Sequence, residues 1–419
     1  MQLAVQFFLQ IGVILTVCQV VGVVARRFGQ PQVVAEMIAG VLMGPSLLGL
    51  LSPELSQFLF PADSMRVLFP VSQLGLAAYM FVVGLEFRVD IIQRHLRSAV
   101  AVSLAGMIAP FVLGSALGMY FYLHTSFFPK NTSLFEAVLF LGASMCITAF
   151  PMLARIIHFK KLAGTTMGTV ALGAGAIDDA AAWCLLAVVL ASFDSNLTHA
   201  IITMVGGAGY VVGTLVVVKP LLARWAHGIE KRGEVSDREF VVCLIVLAIG
   251  AWITDGIGLH AVFGAFVMGT AMPRGILTKA LIDRIQPLTV ALLLPLFFCY
   301  SGLNTRITLL DSGYLWLMTG LVMVAAVGGK GVACWLAARS TGISNREALG
   351  IGTLMNARGL MELIIINIGL QRGIISQALF ATLVIMAVVT TLMASPIFEW
   401  LVGRRGKVGE PQFANAPRV

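Results

Sequence analysis

Charged residues are scarce in this sequence. Asp, Glu, Lys and Arg make up 11% of the 419 residues, whereas hydrophobic residues make up 58%, and the mean hydropathy is +0.94. A soluble domain cannot bury that much apolar surface in one core. The composition therefore excludes a soluble globular protein and predicts an all-α polytopic membrane protein.

Cysteine pairs are missing as well. The six cysteines are scattered through apolar segments with no C-x-x-C pair, which argues against both a disulfide framework and a thiolate metal site. No Lys or Arg precedes the first apolar run and no small-residue cleavage site follows it, so we expect a retained helix and not a signal peptide. No cofactor is expected.

Thirteen apolar stretches are long enough to cross about 30 Å of hydrocarbon, two of them only just. We number them as predicted helices 1 to 13 in chain order. They cover residues 6–25, 31–50, 66–85, 98–122, 134–157, 162–192, 199–220, 239–255, 258–273, 286–303, 313–338, 347–370 and 376–402.

The basic residues lie mostly on one side of these helices. With the N-terminus outside, 22 of the 28 Lys and Arg residues follow odd-numbered helices and four lie on the other side. Cytoplasmic loops carry the excess of Lys and Arg, so the N-terminus is predicted outside and the C-terminus inside the cell's inner (plasma) membrane. A transmembrane domain would cover 1–403 and a short cytoplasmic tail 404–419. The net charge of +8 then reflects topology, and no nucleic-acid partner is expected.

A weak internal repeat relates segments seven helices apart. Residues 80–88 of predicted helix 3 and 298–306 of predicted helix 10 share a G-L-x-x-R ending, at Arg88 and Arg306. A fainter similarity relates 40–44 to 265–269. Because seven is an odd number, the partners face opposite ways, as in an inverted-topology repeat of helices 1–6 and 8–13. Chance similarity between apolar segments is the alternative.

Predicted helices 5 and 12 occupy corresponding places in the two halves and are interrupted. Helix 5 carries Ser144, Thr148 and Pro151, and helix 12 carries Asn356, Arg358 and Gly359. Proline removes a backbone donor, so the freed carbonyls near midmembrane could supply oxygen ligands to a small cation. A simple kink at Pro151 is the alternative interpretation.

Ionisable residues within the apolar helices are functional candidates. Asp178 and Asp179 lie in the middle of predicted helix 6, where a charge costs at least about 2.5 kcal/mol. Adjacent helical residues point about 100° apart, so the two acids meet different neighbours. Lys330 is the expected partner of one acid, unless it extends to the membrane surface instead. Arg358 can pair with Glu362 one turn on, or with an acid on another helix, and such a pair could also be only a structural clamp.

Four motifs in order resemble one transporter family. They are T-A-F-P with L-A-R at 148–155, I-D-D-A-A-A-W at 177–183, G-K at 329–330, and N-A-R-G-L-M-E at 356–362. Together they are similar to the monovalent cation:proton antiporter-2 group, the bacterial sodium/hydrogen exchanger-like proteins related to Kef and plant cation/proton exchangers. The resemblance covers nearly the whole chain.

The resemblance implies a fold and a site. It implies a panel or dimerisation domain in a homodimer, and a six-helix core in which the broken helices 5 and 12 cross. It also implies that Asp179 binds the cation, that Asp178 forms a salt bridge to Lys330, and that Thr148 is the polar residue at the helix 5 break. Kef-type proteins continue into a nucleotide-binding domain, whereas no Gly-rich fingerprint of one is present here, so a regulatory subunit would have to be separate.

The predicted function is Na⁺ or K⁺ exchange for protons, by alternating access, with both ions competing for Asp179. A second proton linked to Asp178 and Lys330 would make exchange electrogenic. The alternatives are an electroneutral K⁺/H⁺ exchanger, a cation channel and a sensor that does not transport. An intramembrane aspartyl protease is disfavoured because its two acids must face each other from separate helices, so the chain is not expected to be an enzyme.

Overall fold

The computed structural model describes residues 3–28, 30, 32–87, 95–162, 164–194, 197–303 and 312–403. Every regular element in these ranges is helical, which confirms the all-α prediction. The predicted tail 404–419 lies outside the described residues, and so do Arg88 and Arg306 of the sequence repeat.

The first half of the chain forms eleven α-helices. They are α1 (Leu3–Arg27), α2 (Gln32–Met43), α3 (Leu48–Leu51), α4 (Pro53–Leu59), α5 (Ala62–Glu86), α6 (Leu96–His124), α7 (Leu134–Cys146), α8 (Phe150–Phe159), α9 (Thr166–Asp194), α10 (Leu197–Gly213) and α11 (Lys219–Arg232). A π-helical segment, Thr214–Val218, joins α10 to α11.

Eight more follow. They are α12 (Asp237–Gly256), α13 (Ala261–Ala271), α14 (Ile276–Leu288), α15 (Leu294–Leu303), α16 (Gly313–Ser340), α17 (Asn345–Leu354), α18 (Leu360–Gln371) and α19 (Gln377–Val402). A second π-helical segment, Thr289–Leu293, joins α14 to α15.

The chain is a multi-pass membrane protein. Within the described residues, nine helices or continuous helical stretches are long and apolar enough to cross a membrane, and α7 and α13 are shorter apolar helices. The stretches predicted as single helices 5 and 12 are each divided in two, as α7 with α8 and α17 with α18.

Two helical stretches run further than hydropathy predicted. Predicted helix 7 ends at residue 220, whereas in the structure the chain stays helical to Arg232. Gly233, which has a φ of 77°, then ends the helix. Predicted helix 10 was to begin at 286, but its helical stretch begins at Ile276. Hydropathy detects only the apolar part of a helix, whereas the backbone stays helical past Pro220 and Pro287 and so continues between each apolar part and its polar extension. Both π segments lie within two residues of a proline, Pro220 or Pro287, which cannot donate to the helical ladder.

The chain forms two compact units. Unit 1 comprises residues 1–21, 36–87 and 190–304, and unit 2 comprises 22–35, 88–189 and 305–419. All ten site residues predicted from the sequence fall in unit 2. Unit 2 includes the contacts of α6 with α7 and α16, and of α19 with α16, α17 and α18.

Glycines bring helices of unit 1 into close contact. A methyl group on Gly302 of α15 would lie 2.7 Å from the Cα of Gly40 of α2, and one on Gly84 of α5 would lie 2.9 Å from the Cα of Gly269 of α13. Only glycine permits such an approach. Gly84 and Gly302 occupy equivalent positions in the two similar segments 80–88 and 298–306.

Replacing Gly302 or Gly84 with alanine should lower thermal stability. The added methyl group has no room, and overpacking typically costs about 1–3 kcal/mol. Gly12→Ala in α1 is the matched control, because no atom lies within 4 Å of its added methyl group. We expect Gly302→Ala and Gly84→Ala to melt at lower temperature than Gly12→Ala in detergent. Equal melting temperatures for all three variants would contradict this packing argument.

Candidate functional site

The first interruption lies between α7 and α8. The helix ends at Cys146, the next three residues are non-helical, and α8 begins at Phe150. Pro151 is the second residue of α8, where its missing N–H costs nothing because the first-turn donors of a helix have no internal partner. The side chain of Pro151 lies outside the described residues. The proline therefore accounts for where the second helix starts.

The second interruption lies between α17 and α18. The helix ends at Leu354, and after a turn the segment 357–359 is non-helical up to Leu360. The side chain of Asn356 donates from Nδ2 to the carbonyl of Gly352 at 2.9 Å and so satisfies one carbonyl at the end of α17.

The two interrupted segments touch each other. The amide of Ala149 donates to the carbonyl of Ala357 at 3.1 Å. A methyl group on Gly359 would lie 3.1 Å from the Cβ of Ala149, so a larger residue at this position would press on the opposite segment. The interruptions of predicted helices 5 and 12 thus form one crossing inside unit 2.

Two buried cations cover the carboxyl end of α7. Lys330 of α16 donates from Nζ to the carbonyl of Cys146, and Arg358 donates from Nη1 to the carbonyl of Ser144 at 3.4 Å. Both cations are fully buried. The last carbonyls of a helix have no internal partner and lie at the negative end of its dipole, so positive groups are favoured there.

Asp178 of α9 is held by three neighbours. Ser103 of α6 donates to its Oδ1 at 2.6 Å, Thr148 donates to its Oδ2 at 2.6 Å, and Nζ of Lys330 lies 3.8 Å from Oδ2. Asp178 and Lys330 are both fully buried. The carboxylate therefore links α6, α9 and α16 to the segment between α7 and α8.

Asp179, the next residue, has a different environment. It is 5% exposed, and no hydrogen-bond partner for its Oδ1 exists among the described residues. The predicted cation and proton site comprises Thr148, Asp178 and Asp179, and in the structure the Thr148 hydroxyl donates to Asp178. Of the two acids, Asp179 is the one with a buried oxygen that lacks a hydrogen-bond partner in the described part of the chain.

A second buried ion pair lies near the crossing. Nη1 of Arg358 is 3.3 Å from Oε1 of Glu362, and both side chains are fully buried. Nε and Nη2 of Arg358 and Oε2 of Glu362 have no partner in the described part of the chain. Glu362 is in the first turn of α18, where an acid complements the helix dipole.

Some contacts of the site were missed by sequence reasoning. Ser103 was not predicted, because one serine in a long apolar helix carries no signal of its own. Thr391 of α19 was also missed, and its hydroxyl accepts from the amide and donates to the carbonyl of Arg358. Ser144 was predicted for its side chain, but its hydroxyl donates to the carbonyl of Phe140 and its carbonyl contacts Arg358.

A helical membrane protein with two crossing interrupted helices and buried acids beside them has the architecture of a secondary transporter. The family model described as "Sodium/hydrogen exchanger, transmembrane" matches residues 12–403. The chain therefore belongs to the sodium/hydrogen exchanger family, which is a family of cation/proton antiporters and not of enzymes. The resemblance found in the four sequence motifs is confirmed.

Individual relatives agree with this family. The Na⁺/H⁺ antiporter NhaS4 of Synechocystis sp. is 38% identical over 92% of this chain and 94% of its own length. The K⁺/H⁺ antiporter 1 of Saccharomyces cerevisiae is 31% identical over 94% of this chain, which spans only 46% of that longer protein. The solved structure of the sodium proton antiporter MjNhaP1 from Methanocaldococcus jannaschii has a TM-score of 0.63 with 16% identity, covering 96% of this chain and 98% of that one, and shows a shared fold.

The close approach of the two interruptions can be tested by exchanging side-chain size. Gly359→Ala should lower the melting temperature, because its methyl group would lie 3.1 Å from the Cβ of Ala149. Adding Ala149→Gly removes that Cβ, so the double variant should recover most of the loss. A double variant that melts no higher than Gly359→Ala would show that the two segments do not press on each other.

Proposed function

We propose that this protein exchanges a monovalent cation for protons by alternating access, and that Asp179 binds either ion in turn. The observation that carries the proposal is the contrast between adjacent acids. Asp178 has two hydroxyl donors and Lys330, whereas Asp179 is 5% exposed and its Oδ1 has no partner among the described residues. One acid is part of the scaffold, and the other is available to a ligand.

Competition at one carboxylate explains why the exchange is coupled. A buried carboxylate needs a neutralising partner, since an isolated charge in a low-dielectric interior is costly. A proton and a cation each supply that neutralisation, and the two cannot occupy the same oxygen together. Asp179 would release its proton on one side and take Na⁺ or K⁺ with oxygens from the segment between α7 and α8. The core would then move to expose the site on the other side.

A second proton would move through the neighbouring pair. If Asp178 and Lys330 are paired only in the empty or proton-loaded state, their titration is coupled to cation binding. Two protons would then be exchanged for one cation, and transport would be electrogenic. The 3.8 Å separation of Lys330 Nζ and Asp178 Oδ2 supports the pairing, while the electroneutral exchange of one proton remains the alternative.

Sodium and potassium are both proposed as substrates. Relatives named for each ion match more than nine-tenths of this chain, which supports both. Selectivity depends on the cavity size and on the number of oxygen ligands. We expect Li⁺ to accompany Na⁺ if sodium is transported.

The proposal includes thirteen membrane crossings in an inverted repeat of helices 1–6 and 8–13. The glycine contacts support the repeat, since α2 with α15 and α5 with α13 are the same contact once the two halves are exchanged. The distribution of basic residues supports an outside N-terminus and a cytoplasmic C-terminus in the plasma membrane. Assembly as a homodimer and a separate regulatory subunit complete the proposal.

Asp179→Asn should abolish exchange. In everted vesicles with an acid-quenched dye, adding Na⁺, K⁺ or Li⁺ should restore fluorescence with the unmodified protein, because the cation displaces the proton. Asp63→Asn is the matched control, since that carboxylate is exposed at the start of α5. Cation-dependent recovery of fluorescence in Asp179→Asn would exclude the proposed site.

Neutralising the buried pair should remove the voltage dependence of exchange. Lys330→Gln alone leaves Asp178 unpaired in the interior, at a cost of about 3–5 kcal/mol, so the double variant with Asp178→Asn is included to preserve folding. In proteoliposomes with an imposed potential, both variants should exchange one proton per cation through Asp179. A voltage dependence equal to that of the unmodified protein would refute the role of this pair in moving a second proton.

A further inference from the structure

A cavity that the proposed mechanism does not use lies between α16, α17 and α19, within unit 2. Its volume is about 240 Å³. The walls are largely apolar and include Val327 and Gly328 of α16 and Met393 and Ile397 of α19. Asn356, which precedes the second interrupted segment, also lines it.

Among the described residues, one side-chain polar atom of the lining has no hydrogen-bond partner. The hydroxyls of Thr353 and Thr390 donate to carbonyls of their own helices at 2.8 Å, and Nδ2 of Asn356 donates to Gly352 at 2.9 Å. Asn356 is 6% exposed, and its Oδ1 has no hydrogen-bond partner among the described residues. A buried acceptor of this kind is costly to leave unpaired, so it indicates a ligand that donates a hydrogen bond.

Water does not suit this cavity. The pocket is open at Val332, which is 51% exposed, and its walls are largely apolar, whereas a bound water needs two to four polar partners. Among the described residues, the polar side chains of the lining are Asn356, Thr353, Thr390 and Trp335, and the last three already donate their hydrogens to other groups. The volume and the largely apolar lining favour an alkyl chain with a single polar end.

Such a molecule could enter from the bilayer. Val332 lines the cavity and is 51% exposed, and its neighbours along α16, Val324 and Leu336, are 72% and 54% exposed. Because α16 is long and apolar enough to cross a membrane, these exposed apolar side chains would face lipid. A ligand dissolved in the membrane would reach the cavity without crossing a polar barrier.

We propose that this cavity binds a medium-chain alkanol or a similar unbranched alkyl molecule with one terminal hydrogen-bond donor. The chain would lie along α16 and α19, and the hydroxyl would donate to Oδ1 of Asn356. Because the ligand would contact the residue before the second interrupted segment, it would act on the transporter beside the crossing and away from Asp179. This site is separate from the proposed ion exchange and does not depend on it.

Photolabelling tests the site directly. The purified transporter in proteoliposomes is irradiated with a 1-octanol analogue that carries a diazirine near its methyl end, and the adducts are located by peptide mass spectrometry. We expect adducts on the cavity walls, at Val327, Met393 or Ile397. Excess 1-octanol should suppress them, whereas 1-methoxyoctane, which cannot donate, should compete about fivefold less well, the factor that one neutral hydrogen bond contributes. In Asn356→Leu the alcohol and the ether should compete equally.

A pair of glycine variants supplies the control. No atom lies within 4 Å of a methyl group built on Gly328 or on Gly320 of the same helix, but only Gly328 lines the cavity. Gly328→Leu should remove the adducts by filling the cavity, and Gly320→Leu should keep them. Adducts that persist in Gly328→Leu would overturn the proposal, and so would equal competition by the alcohol and the ether in the unmodified protein. The competition between the alcohol and the ether in the unmodified protein tests the proposal even if Gly328→Leu fails to fold.

Discussion

The structure around the site depends on how the carboxyl end of α7 is satisfied inside the membrane. An interrupted helix exposes carbonyls, and each one left unpaired in hydrocarbon costs several kcal/mol. Here Lys330 and Arg358 donate to the carbonyls of Cys146 and Ser144. In the segment that follows α7, the amide of Ala149 donates to the carbonyl of Ala357 on the crossing segment. The buried cations stabilise the interruption, and the interruption in turn gives the cations acceptors that an intact helix would not offer.

The need to pair polar groups inside the membrane also gives the two adjacent acids different roles. Lys330 needs a counter-charge, and Asp178 provides it while also accepting bonds from Ser103 and Thr148. Asp179 points about 100° away around the helix, so it cannot share those donors. Its Oδ1 has no partner in the described part of the chain. This oxygen supports the proposal that Asp179 binds the exchanged ion.

Much of this arrangement was predictable, because the signals were strong and local. Hydropathy located the membrane helices, and Pro151 and Gly359 marked the two interruptions. Because charged residues are rare in apolar helices, Asp178, Asp179 and Lys330 were predictable as functional residues. The helical extension to Arg232 was missed, since a polar helix gives no hydropathy signal. Ser103 was missed for a different reason: its importance comes from a contact with a residue 75 positions away, and nothing in its own neighbourhood of the sequence indicates that contact.

By itself, the sequence determined that this is a polytopic membrane protein, where its helices break, and which ionisable residues lie within them. These properties follow from composition and from residues within a turn or two of each other. Only the tertiary structure decided which acid is bonded to Thr148 and which carbonyls accept hydrogen bonds from Lys330 and Arg358. It also showed that a cavity lies beside Asn356. The bonds of Lys330 and Arg358 to α7 join residues 184 and 214 positions apart. Helix packing selects such partners. The apolar composition of the segments requires that each polar group in the membrane form a hydrogen bond, but it does not specify the bonding partner.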